Sequence, residues 1–294
     1  MQKFSPALIL SCLLLAVCVH AEPIADDGYA AGIEKWRQDF DHDVRTGGWL
    51  TLVARYKLEE GETAIGGDPK LAMVVLDAPA RLGVLRRHDR SIQFEPEPGA
   101  LLTLDGKAIS GAVELSTRPP TGRVRTGAIG FAVRQVGEDY YVLVRNDQNP
   151  AIKNFKGTTW YPIDRSYRVA ATFLPYAQPE KVPVPMTRVD SKDVLTSSGD
   201  VQFQLAGKTL RLKTFVDEHE LFIMFQDQTS GKNTYGGGRF LNAALPKDGV
   251  TELDFNKAFN PYCSVNFYVI CPVPPAENRL PVQVAAGETF TEHD

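Results

Sequence analysis

A group of polar side chains near the C-terminus could bind a small ligand. They lie in two segments, 227–247 and 256–281, that are rich in Gly, Pro, Asn and Ser, and long loops of this composition often carry function. Two arginines and three asparagines suit a carboxylate, a phosphate or a sugar, and the glycines at 236–238 let the backbone approach a ligand closely. The candidate ligand-binding residues are Tyr235, Arg239, Asn256, Asn260, Asn278 and Arg279.

The same residues also allow a purely structural interpretation. They could tie long loops together, with asparagine side chains closing turns and Arg279 paired to Asp254 or Glu277. The binding interpretation requires Arg239 and Arg279 to meet at one pocket, whereas the structural interpretation does not.

Cys263 and Cys271 lie eight positions apart and are predicted to form a disulfide in an oxidising compartment. Such a loop would constrain the unfolded chain by about 2.6 kcal/mol. A redox pair and a zinc site are the alternatives, but the spacing is not C-x-x-C and the histidines are scattered along the chain. A Cys263 thiolate with His219 as its base would require the pair to stay reduced. We predict neither a metal site nor a cofactor.

Acidic residues concentrate at the end of a predicted hairpin. Asp217, Glu218 and Glu220 flank one histidine, and paired carboxylates can serve as acid and base in sugar hydrolysis. Asp254 is a further candidate for such a role. Consecutive strand residues point to opposite faces, however, so the run equally suits a solvated edge that discourages aggregation.

The first 21 residues predict an export signal. One positive charge precedes an almost wholly apolar run at 7–19, and Val19-His20-Ala21 suits cleavage after Ala21. A membrane anchor would need about 20 apolar residues, and this run is shorter. A lipid anchor at Cys18 is the alternative, although Val17 is bulkier than the residue usual at that place. The mature chain, 22–294, is therefore predicted to be periplasmic or secreted and to lack a transmembrane segment.

The overall composition is that of a globular protein. The chain has 294 residues, of which 43% are hydrophobic and 23% charged, and this length suggests about two domains. Its 32 basic and 36 acidic residues create no basic field to hold phosphates. Nucleic acid is therefore not predicted as a partner.

The elements that must position these side chains are mostly strands. Residues 22–48 predict one N-terminal helix, with apolar residues on one face, a cap at Asp26 or Asp27, and an end at Gly47-Gly48. Alternating apolar residues then predict a β-sandwich over 49–150 and a second β domain over 151–294 that contains the Cys263–Cys271 loop. The predicted fold class is mainly β. The apolar helix residues are Ile33, Trp36, Phe40 and Val44.

Part of the predicted sandwich resembles a forkhead-associated domain. The motifs that carry this resemblance lie at 62–69, 73–76, 104–107 and 125–131. Members that bind phosphothreonine have an arginine where this chain has Gly67, and they have a Ser-x-x-His motif that 78–83 lacks. The resemblance therefore implies the sandwich scaffold without its phosphopeptide site.

The mature chain resembles an uncharacterised bacterial family, domain of unknown function 1684, over residues 29–288. This resemblance implies no activity and no residue roles. The motifs that carry it lie at 49–52, 160–164, 167–168, 229–231, 234–241, 253–261 and 271–281, together with Cys263 and Cys271.

These observations favour an exported, non-catalytic binding protein with a polar C-terminal pocket for a small anionic or polar ligand. The alternative is an extracytoplasmic hydrolase that uses Asp217, Glu218 or Asp254 as acid or base. A third possibility is a scaffold whose first domain docks another envelope protein.

Overall fold

One helix precedes three β-sheets in the computed structural model, which describes residues 28–118, 121–217 and 219–290. Of the described residues, 47% lie in strands and 15% in helices. The predicted fold class is confirmed: a mainly β protein with an N-terminal helix, consistent with a β-sandwich followed by a second β domain. The predicted signal peptide, 1–21, lies outside the described residues. No helix in the described part of the chain is long and apolar enough to span a membrane.

Helix α1, Tyr29–Thr46, buries one apolar face and ends where the sequence predicts. Ile33, Phe40 and Val44 are buried at helical spacing, and the backbone N–H of Gly47 donates to Asp43 at the C-terminal end. The residue that caps the N-terminus is Gly28, with a positive φ of 76°, whereas the aspartates predicted for this role lie outside the described residues.

Strands β1 to β11 form two sheets of antiparallel strands, apart from the parallel pair β2 and β3. The orders are β1-β11-β10-β9-β6-β7 and β3-β2-β4-β5-β8. The apolar core between them includes Phe94 and Phe131, whose rings are 5.1 Å apart. The resemblance of this sandwich to a forkhead-associated domain stays a prediction. The bounds are β1 Leu52–Lys57, β2 Gly61–Gly66, β3 Met73–Val74, β4 Gly83–His88, β5 Ser91–Pro96, β6 Leu102–Leu104, β7 Lys107–Ile109, β8 Val113–Glu114, β9 Val124–Thr126, β10 Ile129–Val136 and β11 Asp139–Asn146.

The second half of the chain forms one six-stranded sheet in the order β16-β15-β14-β13-β12-β17. A short helix, α2, Pro150–Asn154, precedes it. The two edge strands are joined by only five residues, 245–249, and the Thr251 hydroxyl donates to the Ala244 carbonyl oxygen at 2.7 Å. The sheet therefore curves until its edges approach one another. The bounds are β12 Arg168–Pro185, β13 Lys192–Leu205, β14 Lys208–Asp217, β15 Glu220–Phe225, β16 Arg239–Ala244 and β17 Val250–Asp254.

The long β12–β13 hairpin joins the two halves. Its pairing shifts between Pro175 and Glu180, and the part beyond this bulge, residues 180–197, is here called the β12–β13 arm. Near its tip, Ser191 donates to Asp139 at 2.6 Å and lies 2.8 Å from the Tyr141 hydroxyl. The arm is thus hydrogen-bonded to the β11 strand of the sandwich.

A second contact comes from the loop between the two cysteines. The Asn266 side chain donates to the carbonyl oxygens of Trp49 and Leu52 at 3.0 Å each, and Arg55 donates to the Tyr268 carbonyl oxygen at 3.1 Å. Beneath these bonds lies an apolar cluster, here called the shared core, which takes side chains from the helix, the sandwich and the C-terminal sheet. Its buried members include Phe40, Val44, Leu52, Leu143, Met186, Phe215, Met224, Phe240, Phe259 and Val269.

Candidate functional site

A cavity of about 590 Å³ lies at one end of the C-terminal sheet. Its walls come from the loop after β15 and from the segment 276–281. We call it the Arg279 cavity. The lining residues that carry its chemistry are Gln226, Asp227, Ser230, Lys232, Arg279 and Leu280.

Backbone pairing and one buried asparagine hold the 276–281 wall in place. The Gln226 N–H donates to the Asn278 carbonyl oxygen at 3.0 Å, and the Leu280 N–H donates to the Gln226 carbonyl oxygen at 2.7 Å. The Asn278 side chain accepts from the Lys213 N–H at 2.7 Å and donates to the carbonyl oxygens of Lys213 and Met224 at 2.8 and 2.7 Å. Asn278 thereby fixes the backbone next to Arg279.

The opposite wall is a tight turn built on Asp227. Its carboxylate accepts from the Thr229 N–H and hydroxyl, both at 2.6 Å. The Thr229 carbonyl oxygen in turn accepts from the N–H groups of Lys232 and Thr234 at 3.0 and 3.2 Å. The Ser230 hydroxyl oxygen closes the turn by accepting from the Asp227 N–H at 3.1 Å. The Lys232 side chain is exposed and makes no hydrogen bond within the described residues.

A fully buried ion pair neutralises the acidic residue of the cavity. Arg239 donates to the second carboxylate oxygen of Asp227 at 2.6 Å, and neither side chain has any exposed surface. Arg239 also donates to the carbonyl oxygens of Ala286 and Val284. The charge of Asp227 is therefore balanced from within the protein.

The two exposed cations of the cavity have no acidic partner. Arg279 donates to the Gln226 side-chain oxygen at 2.9 Å, and within the described ranges no carboxylate lies within 4.0 Å of Arg279 or Lys232. With Asp227 already neutralised, the cavity presents two uncompensated positive charges. This arrangement favours an anionic ligand.

The structure brings only part of the predicted site together. Arg279 lines the cavity, where it binds Gln226 rather than Asp254 or Glu277. Arg239 is buried behind the wall and reaches the cavity only through its ion pair. Asn278 is likewise a buried support.

Two of the predicted asparagines serve other junctions. The Asn256 side chain donates to the Asp164 carbonyl oxygen at 2.8 Å and to the Tyr29 hydroxyl at 3.0 Å, which anchors the start of α1. The Asn260 backbone N–H donates to Glu288 at 2.7 Å, and its own Oδ1 is buried without a hydrogen-bond partner. Burial raises the pKa of Glu288 to about 8.

Tyr235 lies beside the cysteine pair instead of in the cavity wall. Its hydroxyl is 3.8 Å from the Cys263 sulfur, and burial raises the pKa of Tyr235 to about 12. The ring packs edge to face on Phe290 at 5.0 Å.

The predicted disulfide is absent from this structure. Cys263 and Cys271 are buried free thiols whose sulfur atoms are not at bonding distance. One thiol is hydrogen-bonded to the other, and the hydrogen bond from Cys271 lowers the pKa of Cys263 to about 6, against the effect of burial. The same contact raises the pKa of Cys271.

Asp254, the one carboxylate of the hydrolase alternative whose side chain is described, does not line this cavity. Asp254 is buried and accepts from the Tyr29 hydroxyl at 2.9 Å and from the Asn256 N–H at 3.1 Å. The side chain of Asp217 and the whole of Glu218 lie outside the described residues. Among the residues that are described, no three His, Cys, Asp or Glu side chains are grouped as a metal site would require.

Of the cavity residues that carry its chemistry, only Arg279 belongs to the set predicted from the sequence, and the others, Gln226, Asp227, Ser230, Lys232 and Leu280, do not. The composition of 227–247 does indicate a functional loop, and Lys232 lies within it. A single lysine in a polar loop gives no further signal, since its importance depends on the absence of a nearby carboxylate.

Comparison with known proteins identifies a family but no activity. No curated protein matches the chain. An uncharacterized protein of Haloarcula marismortui, solved by solution NMR, is 34% identical to this chain, with 47% of this chain and 78% of that chain covered and a TM-score of 0.40. Residues 153–289 match the sequence model of the family described as protein of unknown function DUF1684. Over these residues, just under half of the chain, the protein is therefore similar to the DUF1684 family.

Proposed function

We propose that the protein is an exported, non-catalytic binding protein and that its Arg279 cavity takes a small organic anion. The observation that carries the proposal is the pair of uncompensated cations, Arg279 and Lys232, in a cavity whose acidic residue is neutralised by a buried arginine. A carboxylate or a phosphate ester would meet both cations. The guanidinium group of an arginine suits either anion, because it can donate two parallel hydrogen bonds.

The other walls favour an organic ligand over a bare ion. The Ser230 hydroxyl proton has no acceptor among the described residues and can be donated to a ligand oxygen, and Leu280 and Pro281 provide an apolar side. A volume of about 590 Å³ falls within the range of roughly 300–1,000 Å³ that is usual for small-molecule sites. A sugar phosphate or a hydroxy acid has this combination of charge, hydroxyl groups and carbon.

Export is supported by the apolar run at 7–19 and the small residue that ends the predicted signal. In an oxidising compartment the Cys263 and Cys271 thiols would pass two electrons and two protons to a disulfide-bearing oxidant, which becomes a dithiol, and would form the disulfide expected from the sequence. The contact between the two thiols supports this step, because one sulfur already lies next to the other. The mass of the protein isolated after export measures the change directly.

A thermal-shift screen of residues 22–294 tests the anion site. We expect glucose 6-phosphate or citrate to stabilise the protein and glucose, the neutral counterpart, to have no effect. A ligand at 100 times its Kd would add about 2.7 kcal/mol to the free energy of unfolding.

Charge-removing variants show whether any stabilisation arises at this cavity. Lys232→Gln and Arg279→Gln should each lose about 1.5–3 kcal/mol of binding free energy, the usual value for a hydrogen bond to a charged group. Lys107→Gln, on β7 of the sandwich, is the matched control and should bind like the parent. The proposal fails if none of the anions stabilises the protein, or if the two cavity variants respond to the anions as the parent does.

A further inference from the structure

A second, smaller cavity lies where the sandwich meets the C-terminal sheet. Its volume is about 240 Å³, and its walls come from β10, from the β12–β13 arm and from β14 and β15. We call it the Arg134 cavity. Clefts between domains are preferred places for small-molecule sites. The residues that carry the argument are Arg134, Met186, Asp193, Leu195, Phe215 and Phe222.

This cavity holds two opposite charges that do not pair. Arg134, on β10, has no carboxylate within 4.0 Å among the residues that the structure describes, and its guanidinium makes no hydrogen bond there. Asp193, at the start of β13, accepts only from the neighbouring Val194 N–H at 2.8 Å and has no cation within 4.0 Å in the same ranges. Both residues are half-buried, and neither charge has a counter-charge among the residues that the structure describes. Such charges gain most from a ligand that supplies the missing counter-charge.

The wall around these charges is apolar. Phe215 and Met186 are buried members of the shared core, while Phe222 and Leu195 are half-buried and pack against it. A ligand that carried charges alone would leave this surface uncovered. One with a hydrocarbon or aromatic group would bury it, and burial strengthens binding by about fourfold per methylene.

We propose that the Arg134 cavity binds a free α-amino acid with an apolar side chain. The ligand carboxylate binds Arg134, its ammonium group binds Asp193, and its side chain packs on Phe215, Phe222 and Leu195. A simple fatty acid satisfies Arg134 but brings its negative charge close to Asp193. An apolar amine satisfies Asp193 but brings its positive charge close to Arg134. Only a zwitterion matches both charges, and a volume below the roughly 300 Å³ of larger ligand sites restricts the occupant to the size of a single amino acid.

This site is independent of the Arg279 cavity, since the two share no lining residue. Failure of one proposal therefore leaves the other standing. The variants that remove anion binding, Lys232→Gln and Arg279→Gln, should leave binding at the Arg134 cavity unchanged.

Isothermal titration of residues 22–294 with L-leucine tests the proposal. We expect leucine to bind, valine about fourfold more weakly because it has one methylene fewer, and glycine not measurably. N-acetylleucine lacks the ammonium charge and leucinamide lacks the carboxylate, so each should bind at least about tenfold more weakly than leucine.

Two variants separate the contributions of the charges. Arg134→Gln should lose at least about tenfold in leucine affinity and should no longer distinguish leucine from leucinamide. Asp193→Asn should likewise stop distinguishing leucine from N-acetylleucine. Arg90→Gln, in the exposed turn between β4 and β5, is the matched control. An unchanged Tm shows that each variant is folded.

Three outcomes would overturn the proposal. The first is no heat of binding with leucine, valine, methionine or phenylalanine up to millimolar concentration. The second is binding that is the same in the parent and in folded Arg134→Gln and Asp193→Asn. The third is equal affinity for leucine and for both of its blocked forms, which would indicate a merely apolar cavity.

Discussion

Replacing Glu288 by glutamine should remove a pH dependence of the free energy of unfolding. The Glu288 side chain is buried and accepts from the Asn260 backbone N–H at 2.7 Å. The Glu288 backbone N–H donates to the Ala258 carbonyl oxygen at 2.8 Å. Burial raises the pKa of this carboxyl group from 4.5 to about 8. In the folded protein Glu288 is therefore neutral at pH 7, whereas in the unfolded chain it is ionised.

The direction and size of the effect follow from proton binding. Between pH 4.5 and pH 8 the folded state holds a proton that the unfolded state has lost, so the free energy of unfolding falls as the pH rises. The contribution of the protonated Glu288 carboxyl group to the free energy of unfolding is fully present below pH 4.5 and is lost by about pH 8. A shift of about 3.5 pH units at 1.36 kcal/mol per unit sets the loss at about 5 kcal/mol.

Glutamine keeps the oxygen that accepts from Asn260 and does not titrate. We expect Glu288→Gln to gain stability relative to the parent steadily from pH 5 to pH 8. The measurement is urea denaturation at each pH, followed by tryptophan fluorescence. Glu277→Gln removes an exposed carboxylate and is the control, which should follow the parent at every pH. Parallel pH curves for the parent and Glu288→Gln would show that the reasoning is wrong.

Three further perturbations test the packing and the thiol pair. Gly137→Ala should lower the Tm much more than Gly127→Ala. Both glycines have a positive φ, of 59° and 55°, so the backbone strain of the two variants is similar. A Cβ at Gly137 would lie 2.1 Å from a backbone oxygen of the β12–β13 arm, whereas a Cβ at Gly127 would meet nothing within 4 Å. Arg239→Ala should cost about 3–5 kcal/mol in urea denaturation, because it leaves Asp227 buried and unpaired, and a loss below about 1 kcal/mol would contradict a buried ion pair. In the reduced protein, thiolate absorbance at 240 nm should rise with a midpoint near pH 6 and should disappear in Cys263→Ser, whereas a midpoint above pH 8 would contradict the thiol contact.

Local features of the fold were predictable because their signals are local. The apolar spacing of Ile33, Phe40 and Val44 gives α1, and Gly47 ends it. Asp105-Gly106, a pair that favours tight hairpin turns, joins β6 to β7. These patterns depend on residues within one or two turns of each other, so no knowledge of the tertiary structure is needed to read them.

The candidate site was less predictable because its chemistry depends on pairing between distant residues. Arg239 and Arg279 both lie in polar C-terminal segments and were both predicted to bind a ligand. In the structure Arg239 is fully buried against Asp227, whereas Arg279 faces the cavity. Lys232 and Arg134 are candidate ligand-binding cations because no carboxylate lies within 4.0 Å of either one among the described residues. Sequence composition does not show which charges lie near each other in the fold. The state of Cys263 similarly depends on a contact geometry that spacing alone does not determine.

The shared core affects whether the segment that matches the family model can fold by itself. The family match covers 153–289, but the apolar face of that segment is completed by Phe40, Val44, Leu52 and Leu143 from outside it. A gene fragment that encoded only 153–289 would leave Phe215, Met224 and Phe240 without their covering side chains. We expect such a fragment to aggregate, while the longer piece 28–290 stays monodisperse in gel filtration. The segment that matches the family model is thus smaller than the segment that we expect to fold.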